Sequence, residues 1–413
     1  MDRNTAIAVI ESLRSGIPTR TSTRVLPDAR PDLTSKISQD LDDCISGKYP
    51  KGRFIWGAYG QGKTHELTCI EHLALDRGFA VSRVTLSREL SGQHLFRLYG
   101  KLASSIKTPD STHFGIQHKL DKKRSGDLPD SPIQDEHRYT HRLPAIVLED
   151  YFYATDQQDR ELLYRDLLGE KPPIADIRRI HKVSRGVPFP RIPTFGVLKH
   201  GQAYFEMMSD VIQWCGYKGW IILIDEIELI ARLTKVARLN AYKNLSWLLN
   251  WSIQPQNKQF PFYFVGGVAS PLMNLWLGSE KISPDKEIMP QLASEKFVNE
   301  DAAAEIINFF FKEAMNDQQC PSINPLNIDQ LIQILAKLVE IHEKSYAWNS
   351  SMTDRDLRDL VNSLGSSPLR TYIRALLESL DIKFLYSVDF KPIINVVDFD
   401  LKPEEQDYFQ EDV

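Results

Sequence analysis

The chain has 413 residues, of which 42% are hydrophobic and 25% are charged, so it can bury a sizeable core and is not a disordered protein. This length allows two or three domains, and we expect two. The net charge of -5 excludes a uniformly basic DNA-coating protein. The four dispersed cysteines form no CxxC pair, the N-terminus is unlike a signal peptide, and no apolar run approaches roughly 18 residues, which favours a soluble, cytoplasmic protein without disulfides, structural zinc or a membrane contact.

The first half of the chain alternates between helical and strand patterns. Apolar residues recur at helical spacing over residues 7–13 and 33–45, with a connector rich in Pro, Thr and Arg between them. Residues 53–56 form a short apolar run, followed by a Gly-rich turn and a helical pattern that ends at residue 78. Residues 79–87 then alternate as a second strand, and this strand–helix–strand order predicts a parallel sheet. Residues 107–144 are polar and irregular, and we expect a long surface insertion there.

The second half contains two further strand patterns and then only helices. Residues 219–225 are continuously apolar up to their last residue, which is typical of a strand buried on both faces of a parallel sheet, and residues 261–268 form another apolar run. After residue 297 every periodic segment is helical. We therefore predict an α/β domain over residues 1–297, which includes the N-terminal helical segment, an all-α domain over residues 298–387 and an acidic tail over residues 388–413.

Residues 57–64 match the complete GxxxxGK[ST] pattern of a P-loop, or Walker A motif, between a predicted strand and a predicted helix. The glycines let backbone N–H groups wrap a β-phosphate, and the following helix offers its positive N-terminus. Lys63 is expected to reach the β- and γ-phosphate oxygens, and Thr64 to ligate Mg²⁺. The alternative is a Gly-rich turn without a ligand. The predicted nucleotide-binding residues of this motif are Gly57, Ala58, Tyr59, Gly60, Gln61, Gly62, Lys63 and Thr64.

A second motif, the acidic pair Asp225-Glu226, lies at the end of the buried strand run and resembles a Walker B motif. An aspartate at the end of a strand beside the P-loop strand can hold the water shell of Mg²⁺, and an adjacent glutamate can polarise the attacking water. We therefore predict that Asp225 binds nucleotide and metal and that Glu226 is the catalytic base of hydrolysis. The alternative is that both acids only cap the next helix. Glu228 is expected on the solvated surface of that helix.

Four segments carry a more specific likeness. They are AIAVIESLRSGIPTR, GAYGQGKTHELTCIEHLAL, GYKGWIILIDEIELI with ARLNAYKNLSWLL after it, and SSPLRTYIRALLESLD. Together they resemble the P-loop ATP-binding family of BREX-type phage-defence loci, the BrxD-like proteins, which is related to initiator-type AAA+ ATPases. The resemblance implies an AAA+-like core with a parallel sheet flanked by helices, a smaller all-α lid, ATP as the nucleotide and a role in bacterial defence. Other defence-system proteins are the expected partners, and a homo-oligomer is an open alternative to a monomer.

Arginines that act in catalysis can be placed only through this resemblance. Arg370, in the SPLR segment, resembles the lid arginine that touches the γ-phosphate, and the alternatives are Arg374 one turn later or a surface role. No arginine occurs between Arg238 and Arg355, the interval in which AAA+ rings usually carry an arginine finger. Lysine lacks the planar fork that such a role uses. The finger is therefore absent or relocated. Arg232 and Arg238 are candidate substitutes, and the alternative is that both are solvated helix positions.

Two basic segments, residues 119–142 and 178–191, are candidate contacts with double-stranded DNA. Residues 1–200 carry 31 Lys and Arg against 25 Asp and Glu, whereas residues 201–413 carry 19 against 30. Basic runs neutralise phosphates and give salt-dependent, sequence-tolerant binding, and the alternative is a solvated loop. The cations concerned are Lys119, Lys122, Lys123, Arg124, Arg138 and Arg142 in the first segment, and Arg178, Arg179, Lys182, Arg185 and Arg191 in the second.

Two hypotheses about function follow. The first is an ATPase of an anti-phage complex that couples hydrolysis to action on DNA or on partner proteins, with Lys63, Glu226 and Arg370 as catalytic residues. The second is a nucleotide-gated switch that binds ATP and hydrolyses it slowly or not at all. The missing finger arginine favours the second hypothesis, as does a sensor strand that has Val268 where a Thr would suit and leaves only Ser270 as a candidate sensor.

Overall fold

The computed structural model describes residues 1–15, 19–48, 50–123, 125–135, 137–251, 260–278, 283–297, 302–318 and 320–386. Its strands are β1 (Arg53–Gly57), β2 (Ala80–Thr85), β3 (Trp220–Asp225) and β4 (Phe262–Ala269). Its helices are α1 (Arg3–Arg14), α2 (Arg20–Val25), α3 (Pro31–Ile45), α4 (Lys63–Asp76), α5 (Leu95–Ser104), α6 (Gln117–Leu120), α7 (Leu143–Tyr153), α8 (Gln157–Leu167), α9 (Ile174–Arg185), α10 (Val197–His200), α11 (Gln202–Trp214), α12 (Lys235–Leu249), α13 (Ser270–Leu277), α14 (Asp285–Lys296), α15 (Ala303–Ala314), α16 (Ile328–Tyr346), α17 (Asp354–Leu364) and α18 (Leu369–Tyr386). Within the described residues, no helix is long and apolar enough to cross a membrane.

The strands form one sheet in the order β1-β4-β3-β2, and β3 pairs in parallel with both β2 and β4. All six residues of β3 and all eight of β4 are buried, as continuous apolar runs in a parallel sheet require. This confirms the predicted α/β class with a parallel sheet flanked by helices. One expectation is wrong: β4, and not β3, lies beside β1. β4 can take this interior place because it is apolar along its whole length and because Gly266 leaves room for the side chains of Phe54 and Ile227.

Contacts divide the chain into two compact units, and one of them comprises Ile37–Phe54 and Leu73–Cys320. Its aromatic core includes Phe54, which packs edge-on against Phe264 and Phe310 with ring centroids 5.7 and 6.1 Å apart. The predicted surface insertion at residues 107–144 belongs to this unit, but it is more structured than expected. It contains α6 and two short 3-10 helices, Ser125–Asp130 and Pro132–Gln134, because its scattered apolar residues are buried. These buried residues are Ile116, Leu120, Leu128, Ile133 and Tyr139.

The other unit comprises Met1–Lys36, Ile55–His72 and Pro321–Val413. Helices α1, α16, α17 and α18 share one apolar core, and we call them the helical bundle. The α1 helix joins this bundle through its buried apolar face and through Arg14, whose Nε donates to Asp381 across 3.0 Å. This grouping differs from the predicted division at residue 297. The N-terminal segment packs with the last helices, and α15 belongs to the unit that contains Leu73–Cys320. The predicted acidic tail at residues 388–413 lies outside the described residues.

Candidate functional site

The Gly-rich loop connects β1 to α4, as the sequence predicts. Gly60 and Gly62 have φ angles of +79° and +92°, a backbone region that favours glycine. Gly60 also lies against Pro368, because a Cβ atom added at residue 60 would be 2.9 Å from the Cβ of Pro368. The loop therefore needs glycine at this position both for its own conformation and for its contact with the segment just before α18.

The side chain of Lys63 turns back over this loop. It is only 8% exposed, and its Nζ donates to the main-chain oxygens of Gly57 and Ala58 across 3.0 and 3.1 Å. The loop is braced by Gln61, whose Oε1 accepts from the N–H of Ala58 across 2.8 Å. Tyr59 is partly exposed, with its ring centroid 5.3 Å from the ammonium of Lys63. The predicted P-loop residues are thus brought together, with a buried cation held at the loop carbonyls.

A residue that the sequence analysis does not single out, Arg30, supports the same loop. Its Nη2 donates to the main-chain oxygens of Gln61 and Asn324 across 2.9 and 3.4 Å, and its Nη1 lies 3.9 Å from Oε2 of Glu66. Arg30 lies in the connector before α3, where no periodic pattern marks it. The only sequence signal near it is an aspartate and an arginine two positions apart, Asp28 and Arg30, in an irregular, arginine-rich stretch.

Burial controls protonation in the first turn of α4, beside the loop. Glu66 is 3% exposed, and burial raises its pKa to about 7, an effect that the guanidinium of Arg30 partly opposes. Burial and the same guanidinium lower the pKa of His65 to about 4. Near neutral pH His65 is therefore uncharged. Thr64, which the sequence predicts as a metal ligand, is exposed in this turn.

The segment that leads into α16 runs beside the end of β1. The N–H of Trp56 donates to Pro321 across 3.1 Å, and the N–H of Ile323 donates back to Trp56 across 2.5 Å, which makes a parallel bridge between Trp56 and Ser322. The SPLR segment reaches the loop through Pro368. Arg370, two residues later, is exposed in the first turn of α18, and Arg374 is exposed one turn further on. The structure thus brings the SPLR segment to the loop, and Arg370 remains the predicted lid arginine.

In the other unit, Asp225 is the last residue of β3 and Glu226 follows it. Asp225 is 3% exposed, its Oδ2 accepts from Nη2 of Arg83 across 3.2 Å, and its Oδ1 accepts from the N–H of Glu226 across 3.1 Å. Glu226 is half-buried and has a φ angle of +58°, in the left-handed region that a glutamate rarely adopts. Unusual backbone conformations of this kind cluster at functional sites. Like Arg30 in the other unit, Arg83 is a residue that no sequence pattern singles out.

Two expectations about residues after β3 are wrong. Glu228 is buried rather than solvated, since residues 227–232 form a tight 3-10 helix and Oε2 of Glu228 accepts from the N–H of Ala269 across 3.0 Å. Arg238, a candidate substitute for the finger, is also buried, and it donates to both carboxylate oxygens of Asp285 across 3.0 and 3.1 Å. The guanidinium of Arg238 is therefore engaged inside the fold and does not lie on a solvated helix surface. Arg232 and Ser270 are exposed.

Several cations of the first basic segment are engaged within the chain. Lys119 is paired with Asp110, and Arg138 donates to Asp210 through two nitrogens, one of them across 2.7 Å. The ammonium of Lys123 lies 4.2 Å from the ring centroid of Trp214. Much of the positive charge on the described residues of the first segment is therefore engaged by contacts within the chain. Arg124, also predicted there, lies outside the described residues.

The second basic segment keeps more charge on the surface. Arg179 pairs with Asp159 across 2.7 Å, and Arg185 pairs with Glu149 across 2.9 Å. By contrast, the side chains of Arg178, Lys182 and Arg191 are exposed, with Arg178 5.9 Å from the ring centroid of Phe189.

The donor set fits a nucleotide with Mg²⁺ better than a metal ion held by protein alone. Among the described residues, no group of three or more His, Cys, Asp or Glu side chains is placed to hold a metal ion. Mg²⁺ commonly binds to one or two carboxylates together with substrate phosphates. In one unit, the positive-φ glycines Gly60 and Gly62, the buried Lys63 and the exposed Thr64 have the features of a phosphate-binding loop. In the other unit, Asp225 offers a carboxylate at the end of β3.

A protein-family model matches most of the chain. The model of the family described as BREX system ATP-binding protein BrxC/D matches residues 1–122 and 147–387. The unmatched residues 123–146 fall almost wholly within the predicted insertion. No curated protein matches the chain significantly.

Proposed function

This chain belongs to the family of BREX system ATP-binding proteins BrxC/D, and on that premise we propose that it hydrolyses Mg-ATP in the service of a bacterial anti-phage complex. The family is an ATP-binding component of BREX phage defence, so other defence proteins are its partners. The single observation that carries the proposal is the P-loop: Gly60 and Gly62 have positive φ angles, and the buried ammonium of Lys63 donates to the loop carbonyls of Gly57 and Ala58.

The chain's own residues divide the work of hydrolysis. The loop N–H groups and Lys63 bind and orient the phosphates, and Lys63 leaves the carbonyls of Gly57 and Ala58 to do so. Thr64 and Asp225 would hold Mg²⁺, which would neutralise phosphate charge. Glu226 accepts a proton from the attacking water through its carboxylate. Arg370 stabilises the γ-phosphate charge from the first turn of α18.

The proposal is tested by ATP turnover of the purified chain, alone and with duplex DNA, beside Glu226→Gln. We expect turnover in the wild type and a loss of at least about a hundredfold in the variant, since it removes the general base but keeps the side-chain shape. Both proteins should bind ATP with similar affinity. Turnover that survives in Glu226→Gln would assign the base to another residue.

A nucleotide-gated switch is the second candidate, and one observation favours it. No arginine lies between Arg238 and Arg355, and Arg238 itself is committed to Asp285 in the core. Without a finger arginine, transition-state charge on the phosphate is less well neutralised. Tight ATP binding with negligible turnover, even with DNA present, would identify the switch.

We further propose that double-stranded DNA is contacted through residues 178–191 rather than 119–142, because Lys182 and Arg191 are exposed while Lys119 and Arg138 are paired with carboxylates. Phosphate contacts release counterions, so binding should weaken steeply with salt. The double variant Lys182→Ala/Arg191→Ala should lower duplex affinity at least about fivefold. The slope of the logarithm of the binding constant against the logarithm of the salt concentration should become shallower by about two, one for each lost phosphate contact. Lys122→Ala, at an exposed cation of the first segment, is the matched control. Equal losses in both variants would refute this assignment.

A further inference from the structure

Arg83 and Asp225 form an ion pair across β2 and β3. In the parallel register Arg83 lies opposite Leu223, and Thr85 lies opposite Asp225. Arg83 and Thr85 share one face of β2 because side chains alternate along a strand. The long side chain of Arg83 therefore reaches forward by two positions to the carboxylate, with Nη2 at 3.2 Å from Oδ2.

Both oxygens of the Asp225 carboxylate are engaged by the protein itself. Oδ2 accepts from Arg83, and Oδ1 accepts from the N–H of Glu226. The side chains of Arg83 and Asp225 are only 19% and 4% exposed, so water screens their attraction little. A cation that approaches this carboxylate therefore finds one carboxylate oxygen, Oδ2, already bound to the guanidinium of Arg83.

We propose that Arg83 is a positioning residue that competes with Mg²⁺ for Asp225. Without the metal, Arg83 fixes the carboxylate at the end of β3 and compensates its buried charge. With Mg²⁺ and the nucleotide bound, Asp225 would hold the metal and Arg83 would release Oδ2, because two cations repel each other at the same oxygen. Arg83 thereby raises the concentration of Mg²⁺ that the site requires. This inference rests on the proposed function, in which Asp225 holds Mg²⁺.

The test is a Mg²⁺ titration of the full chain with a fluorescent, non-hydrolysable ATP analogue, which reads binding rather than turnover. We expect Arg83→Gln to lower the half-saturating Mg²⁺ concentration by about threefold or more, since it removes the competing charge. Arg83→Lys keeps the charge and should stay near the wild type. Arg97→Gln removes an exposed positive charge from α5 of the same unit and should change nothing.

The direction of the shift separates competition from a merely structural role. If Arg83 only supported the fold, Arg83→Gln would need as much Mg²⁺ as the wild type or more, and the proposal would be overturned. Thermal unfolding checks that each variant is folded, and Arg83→Met, which keeps the aliphatic stem, replaces the Gln variant if that one does not fold. A wild type that binds the analogue without any Mg²⁺ dependence overturns the proposed function itself, and the competition with it. That outcome is visible before any variant is compared.

Discussion

The guanidinium of Arg30 donates to the main-chain oxygen of Gln61 across 2.9 Å and so ties the connector before α3 to the phosphate-binding loop. The same group faces Glu66 in α4 and the main-chain oxygen of Asn324, just before α16. One side chain thus joins three separate stretches of the sequence at the loop. Removal of this side chain should therefore disturb the position of the phosphate-binding loop more than the loss of a contact within one stretch would.

Arg30→Ala should weaken ATP binding by about fivefold and lower the free energy of unfolding by about 1 to 3 kcal/mol, because it removes the donor of a loop carbonyl and the cation beside a buried carboxyl. Calorimetric titration with ATP and urea unfolding measure the two effects. Arg97→Ala, at an exposed position of α5, is the control. If both variants behave alike, Arg30 does not support the loop.

Glu66 should make the stability of the chain depend on pH. Its pKa is about 7 in the folded chain, above the ordinary value of 4.5, so the folded state binds the proton more tightly than the unfolded state. The free energy of unfolding then falls as pH rises from about 4.5 to 7, by up to about 3 kcal/mol for this group. Glu66→Gln carries no charge at any pH and lacks this contribution. The stability advantage of the wild type over the variant should therefore shrink between pH 5 and pH 8, as urea unfolding at each pH would reveal. An advantage that stays constant over this range contradicts the raised pKa.

Glu226 is held in a left-handed backbone conformation that disfavours any side chain with a Cβ atom. Glu226→Gly and Glu226→Gln both remove the carboxylate, so both should abolish hydrolysis. Only the glycine variant relieves the backbone, and it should be more stable than Glu226→Gln by about 0.5 to 1 kcal/mol. Thermal unfolding of this matched pair measures the difference. A less stable glycine variant would mean that Glu226 is not strained.

Arg370 and Arg374 are both exposed on α18, one turn apart, and only the first is next to the SPLR contact with the loop. Arg370→Ala should lower kcat at least about tenfold with a smaller effect on ATP affinity, because a charge on the γ-phosphate matters most in the transition state. Arg374→Ala is the matched control and should retain activity. The reverse pattern in steady-state kinetics would make Arg374 the lid arginine.

Short sequence patterns, namely apolar runs and glycine spacing, correctly predicted those elements whose conformation depends on neighbouring residues. The apolar run of β3 predicted a buried parallel strand, and the glycine spacing of residues 57–64 predicted the loop between β1 and α4. The position of β4 next to β1 was not predicted, because the order of strands depends on crossovers that no periodicity records. Glu228 was assigned to solvent from its place after β3, but a 3-10 helix turns it toward the end of β4. Arg30 and Arg83 were missed because their partners lie far away in sequence.

The helical bundle closes with the first helix of the chain beside the last described one. Arg14 and Asp381 are 367 positions apart, so a ribosome that adds about 5 to 20 residues per second needs on the order of half a minute to deliver the partner of α1. The bundle core therefore unites Val9 and Ile10 of α1 with residues more than 300 positions later in the chain. Contacts of such high sequence separation form slowly, so we expect closure of the bundle to be a late step in the folding of this unit.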